Sequence, residues 1–149
     1  MKSFHEELSL SIFSVKTRIP LIRSKYKKII LDEFFPNKES RIDNDICDKL
    51  KKWSRTPDAI AILTPKQAKF LGLEEIKTVL FCEAEYTSPI SRKGLFEYAG
   101  LYDVLYDEDF TIAVVIIGKY GDYSFLDLPS LYISLVIVLA NLEEKIEIS

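Results

Sequence analysis

Histidine and cysteine are nearly missing from this chain, which has one His, His5, and two Cys, Cys47 and Cys82. Neither the spacing of the two thiols nor a second histidine offers zinc its usual ligand set, so a structural zinc site is excluded and both cysteines read as core thiols. There is no Gly-rich phosphate loop, no Cys/His nucleophile pair and no serine in a strand-to-helix elbow. P-loop, thiol and serine-hydrolase chemistries fall away with them. No apolar run approaches the ~20 residues that span a bilayer, and the N-terminus lacks the charged, apolar and small-residue order of a secretory signal. We therefore expect no membrane partner and an intracellular, cytoplasmic location.

What the chain does have is apolar mass and unevenly laid charge. Its 149 residues are 48% hydrophobic and 29% charged, enough for a single domain with a proper core. Net charge is −3, yet residues 1–56 carry 13 Lys or Arg against 8 Asp or Glu, giving +5, while residues 57–149 carry 7 against 15, giving −8. The first part reads as mainly helical. Phe4, Leu8, Ile12 and Val15 make one helical stripe; Tyr26, Ile29, Ile30 and Phe34 suggest a second helix before Pro36. Ile42, Ile46, Leu50 and Trp53 make a third helix, whose opposite face shows Lys49, Lys51 and Lys52, with Arg55 just beyond. These cations are candidate contacts to a nucleic-acid backbone, and Trp53 on the apolar stripe reads as core.

Residues 57–149 read as a sheet-containing part with placed acids. Asp58 stands where the short apolar run Ala59 to Leu63 begins, and Glu83 and Glu85 lie in a second run, Val79 to Tyr86. Strand side chains repeat every second residue, so the two glutamates share a face while Cys82 and Ala84 point the other way. Carboxylates converging from neighbouring strands repel one another and lose hydration, and a divalent cation makes such a cluster tolerable. An all-oxygen set suits Mg²⁺ or Mn²⁺.

Pro57-Asp58, 24 intervening residues, then Glu83-Ala84-Glu85 resembles the PD-(D/E)XK nuclease superfamily over the middle and C-terminal two-thirds of the chain. The superfamily's last motif position is ordinarily Lys; here it is Glu85, as in some of its restriction enzymes. The resemblance implies an α/β (α+β) fold with a restriction-endonuclease-like three-layer core, a short mixed central sheet flanked by helices. It also implies metal-dependent hydrolysis of DNA. Asp58 and Glu83 would hold the metal with help from the Ala84 carbonyl, and Glu85, or Lys93 from the following helix, would orient the water. Asp32, Glu33 or Glu39 would add a helix acid. The alternative expectation is the same fold serving as a non-catalytic nucleic-acid-binding or protein-interaction module.

The remaining elements complete the expected order. Thr64-Pro65-Lys66-Gln67 reads as a capping box opening a short helix stopped by Gly72. Arg92 to Tyr106 is a further helix, with Arg92 and Lys93 in its first turn as candidate phosphate contacts. Thr111 to Ile117 reads as a strand covered on both faces at the sheet centre. A fourth strand would come from Lys28 to Leu31 or from Tyr120 to Phe125. Leu128, Leu131, Leu135, Leu139 and Leu142 mark a helix apolar almost all round, expected to be buried on the sheet or, through its second face, in a homodimer.

Overall fold

The computed structural model describes residues 4–23, 25, 28, 31–32, 48–50, 57–85, 89–105 and 110–148. Its order is α1 (Phe4–Thr17), β1 (Ile22–Arg23), β2 (Ala59–Leu63), α2 (Pro65–Phe70), β3 (Lys77–Glu85), α3 (Arg92–Leu105), β4 (Phe110–Gly118), β5 (Tyr123–Phe125) and α4 (Leu128–Ile148). The five strands form one mixed sheet in chain order. β1, β2 and β3 pair antiparallel, β3 and β4 parallel, and β4 and β5 antiparallel. A parallel neighbour demands a crossover, and α3 supplies it.

Alternation along the strands sorts the core into two layers. Ile60, Val79, Phe81, Ile112 and Val114 pack with Tyr98 and Leu101 of α3 and Leu128 of α4. Ala59, Ala61, Leu63, Leu80, Cys82, Ala113, Val115 and Ile117 pack with Leu10 and Phe13 of α1 and Ala68 of α2. Helices therefore cover both faces of the sheet, an α+β arrangement. β3 and β4 are apolar nearly throughout because both of their faces are covered. β3 takes the centre of the sheet; β4, expected there, is one place off centre because a fifth strand borders it.

Local signals hold where local chemistry suffices. Thr64 Oγ1 accepts from Gln67 N at 3.2 Å and Thr64 N donates to Gln67 Oε1 at 3.0 Å, a complete capping box with Pro65 in the first turn of α2. Gly72 closes α2 at φ 86, with its N–H on Lys69 O and that of Leu73 on Ala68 O. α1 instead ends on Arg18 at φ 57, a left-handed residue with a side chain where glycine is the low-energy choice, at a cost of about 1 kcal/mol.

One of the two alternatives for a fourth strand is corrected. Lys28 and Leu31 are helical rather than part of a fourth strand, and Leu31 enters the layer under α3. The extra strands are instead β5, inside the alternative Tyr120 to Phe125 span, and the two-residue β1, which no sequence period marks. α4 is only partly buried within the chain: Leu128 is buried, Leu131 and Leu135 are half-buried, and Leu139 and Leu142 are each 50% exposed. Where α3 and α4 meet, the Asp103 charge raises the Tyr132 phenol above its ordinary value, with burial and a hydrogen bond to Asp103 adding to it. Among the described residues, no helix is long and apolar enough to cross a membrane.

Candidate functional site

Pairing between β2 and β3 ends at Ala59 and Cys82, leaving the backbone of β3 beyond that point without a strand partner on this side. Asp58 fills the gap. Its N–H donates to Cys82 O at 3.0 Å, and its carboxylate Oδ2 accepts from Ala84 N at 2.8 Å. The side chain thus continues the ladder as a substitute for a backbone carbonyl. It is held beside the residue that separates Glu83 from Glu85.

The two glutamates behave as alternate residues of one strand should. Glu83 Oε1 accepts the Tyr98 hydroxyl at 2.5 Å, and Tyr98 is fully buried in α3. Glu85 Oε1 accepts Ile90 N at 2.7 Å, in the segment that leads into α3. Both are half-buried on the α3 face, and each is oriented by a partner that leaves little rotameric freedom. Beyond Glu85, at the same end of the sheet, lies its register partner Gly118.

Asp58 departs from simple alternation. Its N–H uses Cys82, the register partner of Ala59, so the pairing is irregular at that residue, and Asp58 and Ala59 together line a cleft of about 330 Å³ beneath α1. The cleft also receives Glu7, Ser11, Arg23 and Ser14. Glu7 and Arg23 approach to 3.6 Å, with side chains 39% and 64% exposed, a surface pair worth little to stability. The acids therefore share one end of the sheet without converging: Asp58 lies at the strand edge by the cleft under α1, while Glu83 and Glu85 turn toward α3. No group of three or more His, Cys, Asp or Glu side chains among the described residues is gathered tightly enough to hold a metal ion.

Sequence reasoning missed Glu7, Arg23 and Tyr98. Glu7 lies in the first turn of a helix whose apolar stripe said nothing about where its acids would point. The Tyr98 ring packs 5.8 Å from that of Phe81, while its hydroxyl serves Glu83. Of the helix acids expected to assist, Asp32 is half-buried beside Leu31, and Glu33 and Glu39 lie outside the described residues.

The expected cations are spread out. Arg92 and Lys93 are exposed in the first turn of α3, which is capped by Ser91 Oγ on Gly94 N, and Arg92 lies 5.6 Å over the Phe96 ring. Lys49 is exposed next to the buried Leu50, whose side chain joins the layer under α3. Lys51, Lys52 and Arg55, with Trp53 and Cys47, lie outside the described residues. Cys82 is a buried free thiol. No protein-family model, no curated protein and no solved structure matches the chain.

Proposed function

We propose that the chain is an intracellular, metal-dependent nuclease of the PD-(D/E)XK kind, hydrolysing DNA phosphodiester bonds at the end of β2 and β3. One observation carries the reading: the Asp58 carboxylate is fastened to the N–H of Ala84, the residue between Glu83 and Glu85 on the neighbouring strand. The strand order adds support, since an antiparallel β1-β2-β3 set followed by α3 and a parallel β4 puts these acids on adjacent strands at one sheet end.

The donors Asp58, Glu83 and the Ala84 carbonyl are all hard oxygens, and one or two protein carboxylates are what Mg²⁺ or Mn²⁺ ordinarily takes when water and phosphate complete its shell. Bound there, the ion would supply activation of a water and neutralisation of charge on the phosphate. The chain's own residues do the positioning. Tyr98 holds Glu83 in one rotamer, Ala84 N holds Asp58, and Glu85 or Lys93 orients the water. Arg92 and Lys93 at the start of α3, with Lys49, Lys51, Lys52 and Arg55, meet the DNA backbone. Cleavage of plasmid with Mg²⁺ or Mn²⁺ should fall at least ~100-fold in Glu83→Gln. Wild-type rates in that variant would sink the nuclease reading.

A second reading is favoured by the hydrogen bonds of Glu83 to Tyr98 and Glu85 to Ile90 N, which give both glutamates structural work. On it the fold is a non-catalytic binding module, and nucleic-acid or protein binding persists in chelator. In either reading we assign a homodimer to the exposed face of α4, where Ile133, Val136, Ile137, Leu139 and Leu142 are each at least 44% exposed. An antiparallel α4 pair sets Glu143 and Glu144 of one copy against the positive N-terminal end of the other helix. Ile137→Asp should convert a dimer to a monomer in sedimentation; a monomeric wild type would refute the pair.

A further inference from the structure

A cation-lined surface groove lies at the other end of β2 from Asp58. The end of α1 and the start of α2 enclose a groove of about 640 Å³ lined by Lys16, Thr17, Arg18, Ile19, Lys66, Gln67 and Phe70. Three of these carry positive charge and none is acidic, in a chain whose net charge is −3. Lys16, Arg18 and Lys66 make no ion pair with a described residue. Phe70 stands 74% exposed among them, an aromatic ring offered to solvent where burial would stabilise it.

The neighbouring turn repeats the pattern. Lys16 Nζ donates to Gly121 O at 3.4 Å, and that turn carries Tyr120, 73% exposed, with Lys119 Nζ 5.0 Å over its ring. Phe70 thus shares the groove with three cations, and Tyr120 with Lys119 lies on the turn that Lys16 reaches. Arg18 occupies a left-handed position at φ 57, where glycine is favoured.

We propose that this groove is a binding site for single-stranded nucleic acid, Lys16, Arg18 and Lys66 tracking the phosphates while Phe70, and beyond it Tyr120, stack bases. Every base offers a π face, so exposed rings between cations suit a single strand without sequence preference. A duplex keeps its bases stacked on one another and gives Phe70 nothing to cover. Asp58 precedes β2 and Lys66 follows it, so the groove and the acidic end of the sheet are separated by five residues of strand, roughly 17 Å. A strand a few nucleotides long spans that distance, so the groove would hold a single-stranded flank of the substrate. The inference rests on the nucleic-acid part of the reading above and not on its chemistry.

Binding of a labelled oligothymidine of about fifteen nucleotides, followed by fluorescence anisotropy in chelator, tests it. Phe70→Ala should weaken binding roughly 5- to 100-fold and Phe70→Trp should preserve it, the reach of one base stacked on one ring. Lys66→Glu should weaken it and lower the salt slope by about one unit. Arg18→Gly should weaken binding while raising the melting temperature, a combination that a merely structural arginine cannot give. All three side chains are exposed, so equal melting curves for the Phe70 and Lys66 variants exclude misfolding. No wild-type binding, equal competition by duplex, or indifference to Phe70→Ala and Lys66→Glu would overturn the proposal. Glu83-dependent cleavage with binding indifferent to Phe70 would remove the groove and leave the nuclease; metal-independent binding lost in both groove variants, without cleavage, would do the reverse.

Discussion

Gly121→Ala is expected to be among the most destabilising single substitutions in the described fold, costing about 2–4 kcal/mol where a domain of this size has ~5–15 in all. Two separate costs meet at this residue. Its φ of 77 is a conformation that L side chains rarely adopt, worth about 1 kcal/mol for alanine. A Cβ there would also drive into Ile12 Cγ2 and stand 3.0 Å from Ile12 Cβ, and overfilling a packed contact costs ~1–3 kcal/mol. Both partners are fixed: Gly121 N bonds Gly118 O at 3.0 Å, and α1 is clamped to the hairpin by Phe13 edge-on to Tyr123 at 5.1 Å.

Gly72 is the internal control. Its φ of 86 is as left-handed, but nothing lies within 4 Å of where its Cβ would be, so Gly72→Ala should cost only the backbone part, about 1 kcal/mol. Urea unfolding of the two variants measures the difference directly. Adding Ile12→Ala to Gly121→Ala should return part of the loss, because the colliding atom is gone; neighbours of this kind are not additive. Equal losses at both glycines, or no rescue, would show that α1 does not sit on the hairpin as described.

The second large effect is a separation at Asp58. Asp58→Asn keeps an oxygen able to accept from Ala84 N but removes the charge, whereas Asp58→Ala removes both. Stability should divide the two variants: Ala leaves a half-buried N–H without its acceptor, at about 1–2 kcal/mol, and Asn is close to wild type. Activity should not divide them. If the carboxylate holds a metal ion, metal-dependent cleavage drops at least ~100-fold in both, the folded Asn variant being as inactive as Ala. Full activity in Asp58→Asn would reduce Asp58 to a strand-end cap and favour the binding-module reading.

Asp58 also shows where a strand period stops being informative. Counting by twos from Ile60 carries Asp58 onto the face of Phe81 and Glu83, and that count assumes regular pairing down to the last residue. The Asp58 N–H instead donates to the Cys82 carbonyl, and Asp58 reaches Ala84 N and the cleft under α1. Ala84 N needed an acceptor once β2 ran out. That need exists only in the assembled sheet, so it left no trace in the order of residues.

Features that depend on near neighbours were legible in the chain itself. The capping box at Thr64, the stop at Gly72, the shared face of Glu83 and Glu85 and the doubly covered β4 each follow from side-chain chemistry within a few residues, before any tertiary contact. β1 was not, because two residues, Ile22 and Arg23, become a strand only when Ile60 and Ala59 are already present to bond them. Nor was the half-exposure of α4, since its apolar residues look alike and only packing against α3 and the sheet determines which of them are covered. The same holds for the groove. Lys16 and Arg18 are separated from Lys66 and Phe70 by nearly fifty residues, and only the return of the chain through β2 to α2 puts their charges and the exposed ring on one surface. Local sequence determined which segments could be strand or helix, and long-range backbone pairing decided which acids and cations would share an end of the sheet, because bonding partners distant in sequence are brought together only in the assembled sheet.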